Sequence, residues 1–383
     1  MIRAQTFADK WPVANLGQAV DFLDHRRKPV KASERVEGDY CYYGANGIQG
    51  TINDYLFDEP LVLLAEDGGH FGNPERTIAY IAEGKYWVNN HAHVLKPKDG
   101  IDLNYLCRVL EKYDVTPFIK GATRAKLSKT DASRIPIPLP PLPIQKQIAA
   151  LLEKADTLRS QSKQMEQELN QLAQSMFLEM FGDPVTNPKE WDTFPVDRVT
   201  DCIVPGRDKP KSFSGGTPWV TTNLLRDKEA LSFSHSEMGL SDSEINEVKA
   251  RVIPEQSVLM TCVGELGVTS INKEKIVINQ QLHSYQCNSE ILPEFLCFLL
   301  PYKKNHMFKV ATKTTVPYMN KAACNSIPIY LPPIELQATF AERYNTIMSR
   351  IANVRKKQVI HNELFSSLMQ SAFSGKLDLT KAA

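Results

Sequence analysis

Residues 135–145 read Ile135-Pro136-Ile137-Pro138-Leu139-Pro140-Pro141-Leu142-Pro143-Ile144-Gln145, and 192 positions later the phrase returns as Ile327-Pro328-Ile329-Tyr330-Leu331-Pro332-Pro333-Ile334-Glu335-Leu336-Gln337. The register continues without gaps: Leu172 falls opposite Leu364, Ser175 opposite Ser367, Met176 opposite Leu368 and Phe181 opposite Phe373. A register kept over about 50 positions marks internal duplication, which a single matched tetrapeptide would not.

Each copy opens a helix. The prolines of 135–143 remove amide donors and push their predecessors towards extended geometry, so that segment is not helical. Beyond it Gly and Pro are absent until Gly182. Within that window Ile144, Ile148, Leu151, Ala155, Leu158, Ser162, Met165, Leu169, Leu172 and Met176 alternate at steps of four and three, the spacing of a heptad seam. The stop is Phe181-Gly182-Asp183-Pro184, where Gly offers a left-handed cap and Pro forbids continuation. After the second Pro-Pro, Phe340, Tyr344, Ile347, Ile351, Val354, Gln358, His361, Phe365, Leu368 and Ala372 repeat the spacing and end at Phe373-Ser374-Gly375. Each stretch of about 38 residues would span about 57 Å as a helix, and the pair is expected to form an exposed rod. Ser162, Gln358 and His361 interrupt the seams as register-fixing polar residues.

What precedes each helix is duplicated more loosely. Trp11-Pro-Val-Ala-Asn-Leu16 resembles Trp191-Asp-Thr-Phe-Pro-Val196, and Val88-Asn89-Asn90-His91-Ala92-His93 aligns with Ile278-Asn279-Gln280-Gln281-Leu282-His283 as β-prone, amide-bearing runs. A basic, hydroxyl-rich turn, 121–127 or 311–319, precedes each proline-rich phrase. The text between, such as 40–50 against 215–224, is dissimilar. Frames that repeat while loops diverge imply two related mixed α and β modules reading different things.

Composition narrows the class. The 383 residues, 42% hydrophobic and 23% charged, suit two or three soluble domains. No run of about 18 apolar residues and no signal-peptide core occurs, so a cytoplasmic, non-membrane protein is expected. Seven cysteines without a C-x-x-C pair read as free thiols of a reducing compartment. Lys and Arg balance Asp and Glu at 18 against 18 over 1–142 and 16 against 16 over 184–333; the ratios are 4 against 6 over 143–183 and 7 against 4 over 334–383. A protein binding DNA by phosphate neutralisation alone would be basic, so either DNA is not the partner or most phosphate contacts come from elsewhere.

Catalytic motifs are missing. There is no phosphate loop ending in Gly-Lys-Ser/Thr, no His-Glu-x-x-His and no Gly-x-Ser-x-Gly; the Pro-Pro pairs follow Leu139 and Leu331, not the Asn or Asp of an adenine methyltransferase. His91-x-His93 is the most metal-like pair, with a structural or hydrogen-bonding role favoured over zinc. Glu66-Asp67-Gly68-Gly69-His70 reads as a turn. No catalytic or metal-binding residue is assigned.

For DNA reading the loops are better stocked, since Asn and Gln pair with adenine, Arg and Lys with guanine, and hydroxyls with phosphate. The candidates are Tyr43, Asn46, Gln49, His70, Arg76 and Arg124 in the first module. In the second they are Arg207, Lys209, Lys211, Ser214, Thr221, Asn223, Arg226 and Lys313.

The paired Ile-Pro-x-x-Leu-Pro-Pro-(Leu/Ile)-x-x-Gln phrases, each leading into a long helix, together with Tyr42-Tyr-Gly-Ala-Asn-Gly47 and the stretch Phe57 to Gly68, resemble the DNA-specificity (S) subunit of type I restriction-modification enzymes. The resemblance runs from about Trp11 to Leu377. It implies an α+β chain: a target recognition domain at 1–142, a spacer helix at 143–183, a second recognition domain at 184–333, and a second spacer helix with tail at 334–383. The two helices would run antiparallel as a coiled coil, giving a pseudo-twofold internal repeat. It further implies a non-catalytic subunit on double-stranded DNA with two methyltransferase subunits and, when restriction is active, two translocase-nuclease (restriction) subunits. S-adenosylmethionine would sit on the methyltransferase, and no cofactor on this chain. The competing readings are a coiled-coil scaffold with two protein-binding domains, and a restriction or modification enzyme acting alone, which the missing motifs oppose.

Overall fold

The two long windows fold as uninterrupted helices, Leu142–Phe181 and Ile334–Phe373, of 40 residues each; the first also takes in Leu142 and Pro143, expected to lie outside it, because in the first turn of a helix the amide that proline lacks has no partner to lose. The computed structural model describes residues 2–3, 11–120, 125–206, 208–234, 236–312 and 315–377. Gly182 (φ +80°) and Gly375 (φ +66°) follow the helices in the left-handed region that a side chain disfavours.

Contacts divide the chain into two units, Met1–Ser162 with Lys357–Ala383, and Lys163–Lys356, so each unit holds part of both long helices. The first contains β1 (Val13–Asn15), α1 (Leu16–Ala19), β2 (Val20–Phe22), β3 (Tyr40–Gly44), β4 (Gly47–Ile52), β5 (Phe57–Asp58), β6 (Leu61–Ala65), β7 (Ala79–Ala82), β8 (Lys85–Val88), β9 (Ala92–Pro97), α2 (Leu103–Glu111), α3 (Lys129–Ala132), β10 (Pro136–Pro138) and the start of α4 (Leu142–Phe181). Its sheets are β2-β9-β6-β7, β4-β3-β8-β5 and β1-β10. Strand β6 is buried throughout. Its Val62 and Leu64 join the core under α2 and its Leu61 and Leu63 join Phe57, Tyr86 and Val94, the two-residue alternation of a strand covered on both faces.

The second unit contains β11 (Thr193–Pro195), β12 (Thr200–Ile203), β13 (Thr217–Val220), β14 (Glu229–Leu231), β15 (Gly239–Leu240), α5 (Asp242–Glu247), β16 (Val252–Ile253), β17 (Val258–Thr261), β18 (Thr269–Asn272), β19 (Ile276–Ile278), β20 (Leu282–Cys287), α6 (Pro293–Leu299), α7 (Lys304–Val310), α8 (Lys321–Asn325), β21 (Pro328–Tyr330) and the start of α9 (Ile334–Phe373). Its sheets run β12-β20-β17-β18-β14, β15-β13-β19-β16 and β11-β21. The order β2-β9-β6-β7 is therefore repeated as β12-β20-β17-β18, and the parallel pair β3/β8 as β13/β19. The second unit adds β14, joined parallel to β18.

The last residue of each proline-rich phrase fixes this frame. Gln145 accepts from Asp102 N (2.9 Å) and donates to Gly100 O (3.1 Å) and Pro140 O (2.8 Å). Gln337 accepts from Leu292 N (2.9 Å) and donates to Glu290 O (3.1 Å) and Pro332 O (2.8 Å). Both are buried, at 2% and 0% exposure. Each ties the entrance of a long helix to the residue that opens α2 or α6.

The buried stripe of α9 follows the expected series through Phe340, Tyr344, Ile347, Ile351, Val354 and Phe365. On α4 three of the ten expected seam positions fail: Leu158, Met165 and Leu172 are 39%, 52% and 54% exposed. Their places are taken one residue later. Arg159 reaches Asn362 (2.9 Å) and lies over the Phe365 ring (4.4 Å) in the first unit, while Glu166 accepts from Arg355 (2.7 Å) in the second. Long charged side chains cover apolar surface with their stems and pair at their tips, which an apolar periodicity cannot register. Ser162 remains internal, accepting Gln358 Nε2 at its carbonyl (3.2 Å) and meeting His361 Nδ1 at its hydroxyl (2.9 Å).

Candidate nucleic-acid interface

In the first unit the candidates cluster around the β3/β4 hairpin and the turn after β6. Tyr43 on β3 is half-buried, stacked on Tyr80 (5.7 Å) and edge-on to Tyr86 (5.6 Å), and burial followed by the neighbouring Cys41 pushes its pKa up. Asn46, at the exposed tip, donates to Gly68 O (2.9 Å), so the hairpin and the Glu66–His70 turn are brought together; Gly68 itself has φ +65°, in keeping with the expected turn. His70 is half-buried in that turn, while Arg76 lies in a separate exposed stretch. Gln49 is exposed on β4. Arg124 lies outside the described residues.

Sequence reasoning did not select the residues beside Gln49. Arg35 lies over the Tyr42 ring (3.7 Å) and donates to Gln49 O (3.4 Å). With Lys31, Gln49, Asn90 and His91 it lines an open cavity of about 500 Å³. The signal was present in the repeated amide-bearing run that starts at Val88.

Beneath these loops sits an ionic cluster. Arg27 contacts Glu66 (2.6 Å) and Asp24 (3.4 Å), Lys126 contacts Glu66 (3.0 Å), and His93 places Nδ1 on Asp24 (2.7 Å) and Nε2 on Leu127 O (2.8 Å). Burial acts to raise the Asp24 pKa, but the His93 hydrogen bond and charge, with help from Val94 N and Arg27, hold it below the ordinary value. Ligand atoms of Asp24, Glu66 and His93 lie within 4.8 Å of one another, close enough to hold an ion. The cationic Arg27 already answers both carboxylates, and both His93 nitrogens are engaged, which suits a structural anchor for the segment leaving the basic turn.

In the second unit Lys209, Lys211 and Ser214 are exposed on the loop between β12 and β13. Glu244 of α5 fastens that loop. It accepts from Ser212 Oγ (2.5 Å), Ser214 N (3.2 Å) and Ser241 N (2.8 Å), closing a capping box with Ser241. The Ser212 hydrogen bond, then those from the backbone, lower its pKa to about 2. Thr221 is half-buried and donates to the exposed Asn223; Arg226 is exposed, its backbone held by Ser270 (3.1 and 2.7 Å). Gln280 Nε2 reaches Gly206 O (3.2 Å) and Asp208 O (3.3 Å), joining the β19/β20 turn to the Lys209 loop. Arg207 and Lys313 lie outside the described residues.

The arrangement offers donors and cations on loops over a rigid sheet frame. Among the described residues no helix is long and apolar enough to cross a membrane, and all seven cysteines are free.

Comparison with known proteins agrees. The family model described as the type I restriction modification DNA specificity domain matches twice, at residues 8–172 and 188–362. A Haemophilus influenzae protein named as a type I restriction enzyme specificity subunit, S.HindORF215P, is 39% identical over 146 residues, 38% of this chain and 37% of that protein. The MjaVIII specificity subunit of Methanocaldococcus jannaschii is 24% identical, over 96% of this chain and 93% of its own length. The EcoDI specificity subunit of Escherichia coli is 23% identical, over 96% and 88%. Among solved structures, the type I restriction-modification S subunit from M. genitalium shares the fold with a TM-score of 0.65 at 12% identity, covering 95% of this chain and 96% of that one. A chain from a structure concerned with assembly and conformational transition of the type I R-M system gives 0.51 at 16% identity, covering 97% and 99%. Two tandem matches that coincide with the two repeated sheet frames place this chain in the type I restriction-modification DNA-specificity family, as a non-catalytic specificity subunit.

Proposed function

We propose that the chain reads a bipartite double-stranded DNA target, one half-site for each recognition domain, 1–142 and 184–333. Helices 143–183 and 334–383 would form an antiparallel coiled-coil pair that sets the unread spacer. The observation that carries this reading is one sheet order used twice around loops that differ. A duplicated frame with divergent loops suits two readers of unlike sequence, and half-site centres near one duplex turn, about 34 Å, would let both address the same face.

Both domains are electrically neutral, so phosphate neutralisation falls to partners: two methyltransferase subunits and, when restriction is active, two translocase-nuclease subunits. S-adenosylmethionine and adenine flipping belong to the methyltransferase, and the complex works in the cytoplasm. On this chain the contacts are made from Tyr43, Asn46, Gln49, His70, Arg76 and Arg124, and from Arg207, Lys209, Lys211, Ser214, Thr221, Asn223, Arg226 and Lys313.

Mapping methylated adenines in cells with and without this chain tests the reading. A two-part motif that vanishes with the chain is expected, and exchange of residues 1–142 for another module should change one half alone. Methylation that is indifferent to the chain would refute the DNA-reading role and favour a protein scaffold.

A further inference from the structure

We infer that each unit reads one base through the free amide of a glutamine whose oxygen is held by a buried asparagine: Gln49 held by Asn89, and Gln281 held by Asn279. This rests on the DNA-reading role proposed above and adds the chemistry recognised, a hydrogen-bond acceptor on a base edge.

The orientation of the amides follows from the backbone. His91 N–H lies 2.8 Å from one end of the Asn89 side chain, and a main-chain donor requires oxygen there. The other end of Asn89 is then the NH2 group. It lies 3.1 Å from Gln49, whose facing atom must be Oε1. The end of Gln49 not engaged by Asn89 is therefore its Nε2, a donor. The second unit reaches the same result from different chain. Gln281 N–H donates to Asn279 Oδ1 (3.1 Å), and Asn279 Nδ2 donates to Oε1 of the exposed Gln281 (3.1 Å).

Both asparagines are buried, at 3% and 8% exposure, and both are pinned through their own N–H to the neighbouring strand, Asn89 to Tyr43 O (3.0 Å) and Asn279 to Val220 O (3.0 Å). They are positioning residues at the junction of β3 with β8 and of β13 with β19. Gly44 sharpens the point in the first unit. A Cβ there would stand 2.2 Å from Gln49 Nε2, and the Gly44 backbone is not in the left-handed region, so the missing side chain serves the close approach of the amide.

A glutamine with both amide ends free pairs bidentately with adenine. With Oε1 already engaged, the NH2 group dominates. In the major groove it finds acceptors at purine N7, guanine O6 and thymine O4, whereas cytosine presents only its N4 amino donor. One position in each half-site should thus reject cytosine on the contacted strand.

The test uses the full chain assembled with its methyltransferase partner and a random duplex pool from which bound DNA is selected. Gln49→Ala should flatten preference at one position of one half-site by about tenfold and leave the other half-site intact; Gln281→Ala should do the reverse. Asn89→Asp keeps an acceptor for His91 N–H but loses the donor to Gln49, and should weaken the same position as Gln49→Ala. Gln49→Glu, an acceptor only, should turn that position towards cytosine or adenine, whose amino groups donate. A 7-deazapurine scan of the selected site with unaltered protein gives the result without any variant: where the position is a purine, loss of N7 should lower affinity there. The inference is overturned if unaltered protein selects a motif while the glutamine variants keep every base preference, or lose affinity equally at all positions as a merely structural role would dictate. If unaltered protein selects no motif, DNA reading itself fails, and the inference with it.

Discussion

Arg108 and Phe298 occupy the same place in the two units and do opposite things there. Gln145 and Gln337 receive the N–H of Asp102 and of Leu292, so α2 and α6 can be aligned from those residues, and six positions later stand Arg108 and Phe298. Arg108 fans out to Glu111 (3.1 Å), Asp156 (3.0 Å) and Glu153. Phe298 stacks on Phe177 (4.8 Å) and meets Phe340 (5.5 Å) and Tyr344 (5.8 Å) edge-on. One frame thus holds a long helix by charge in the first unit and by aromatic packing in the second. The matched histidines diverge in the same manner: His93 faces the Asp24 carboxylate, His283 the Cys324 thiol (3.2 Å). Duplication preserves backbone geometry, and the chemistry filling a given position is free to change so long as burial is compensated.

Truncation at that site should separate the two solutions most sharply. Phe298→Ala removes a ring from a close-packed cluster and should cost the second unit about 3–5 kcal/mol. Arg108→Met should cost the first unit about 2 kcal/mol, mainly by stranding Glu111, whose pKa burial already raises, and adding Glu111→Leu should recover most of the loss. Hydrogen exchange under denaturant resolves the units separately. An Arg108→Met loss that Glu111→Leu leaves untouched would show the charge cluster is not what holds the helix.

Acid should act next, and on the second unit through His283. Burial, with a smaller push from Lys321, lowers its pKa from 6.5 to about 4. The unfolded chain therefore binds a proton that the folded one refuses: stability is complete above about pH 6.5 and declines towards pH 4, by about 3 kcal/mol at the lower end. Replacing His283 with Gln should flatten that slope in a series of denaturation curves; an unchanged slope would assign the pH dependence elsewhere.

Where the units agree, mutations should agree too. Gln145→Leu and Gln337→Leu each leave two carbonyls and an N–H without their partner, a loss of about 1–3 kcal/mol that should match between units to within about 1 kcal/mol. A large effect in one unit alone would break the equivalence of the frames. The smallest change expected in the fold is also the most telling for function. Four residues inserted after Ser162 add about 6 Å and about 400° of turn, nearly one revolution. Under the proposed reading the preferred spacer lengthens by one or two base pairs with both half-sites kept, as methylation mapping would report. A fixed spacer would remove the helix from its role as ruler.

Much of this was legible in the chain. Prolines, the long windows without Gly or Pro and the capping glycines fixed both helices to within two residues at each end, because they act locally through the backbone. The exposed Leu158, Met165 and Leu172 were not foreseen, since the working contacts run through Arg159 and Glu166, whose stems are apolar and whose tips are not. Among the candidate contacts, the hydrogen bond of Asn46 to Gly68 and the Glu244 anchor beneath Ser212 and Ser214 depend on residues 22 and about 30 positions away, beyond any local pattern. Asn89 and Asn279 were seen only as members of a β-prone run; burial is what distinguishes them from solvated amides.

The sequence by itself determined that the chain is a duplication, where its two long helices begin and end, and which family phrase opens each of them. Those features are written in periodicity and in residues that restrict φ and ψ, which need no distant partner. Tertiary structure alone decided which polar groups are held and which are offered. That depends on strands remote in the chain meeting in register, so that an asparagine buried at the junction presents a glutamine amide to solvent with one end already engaged.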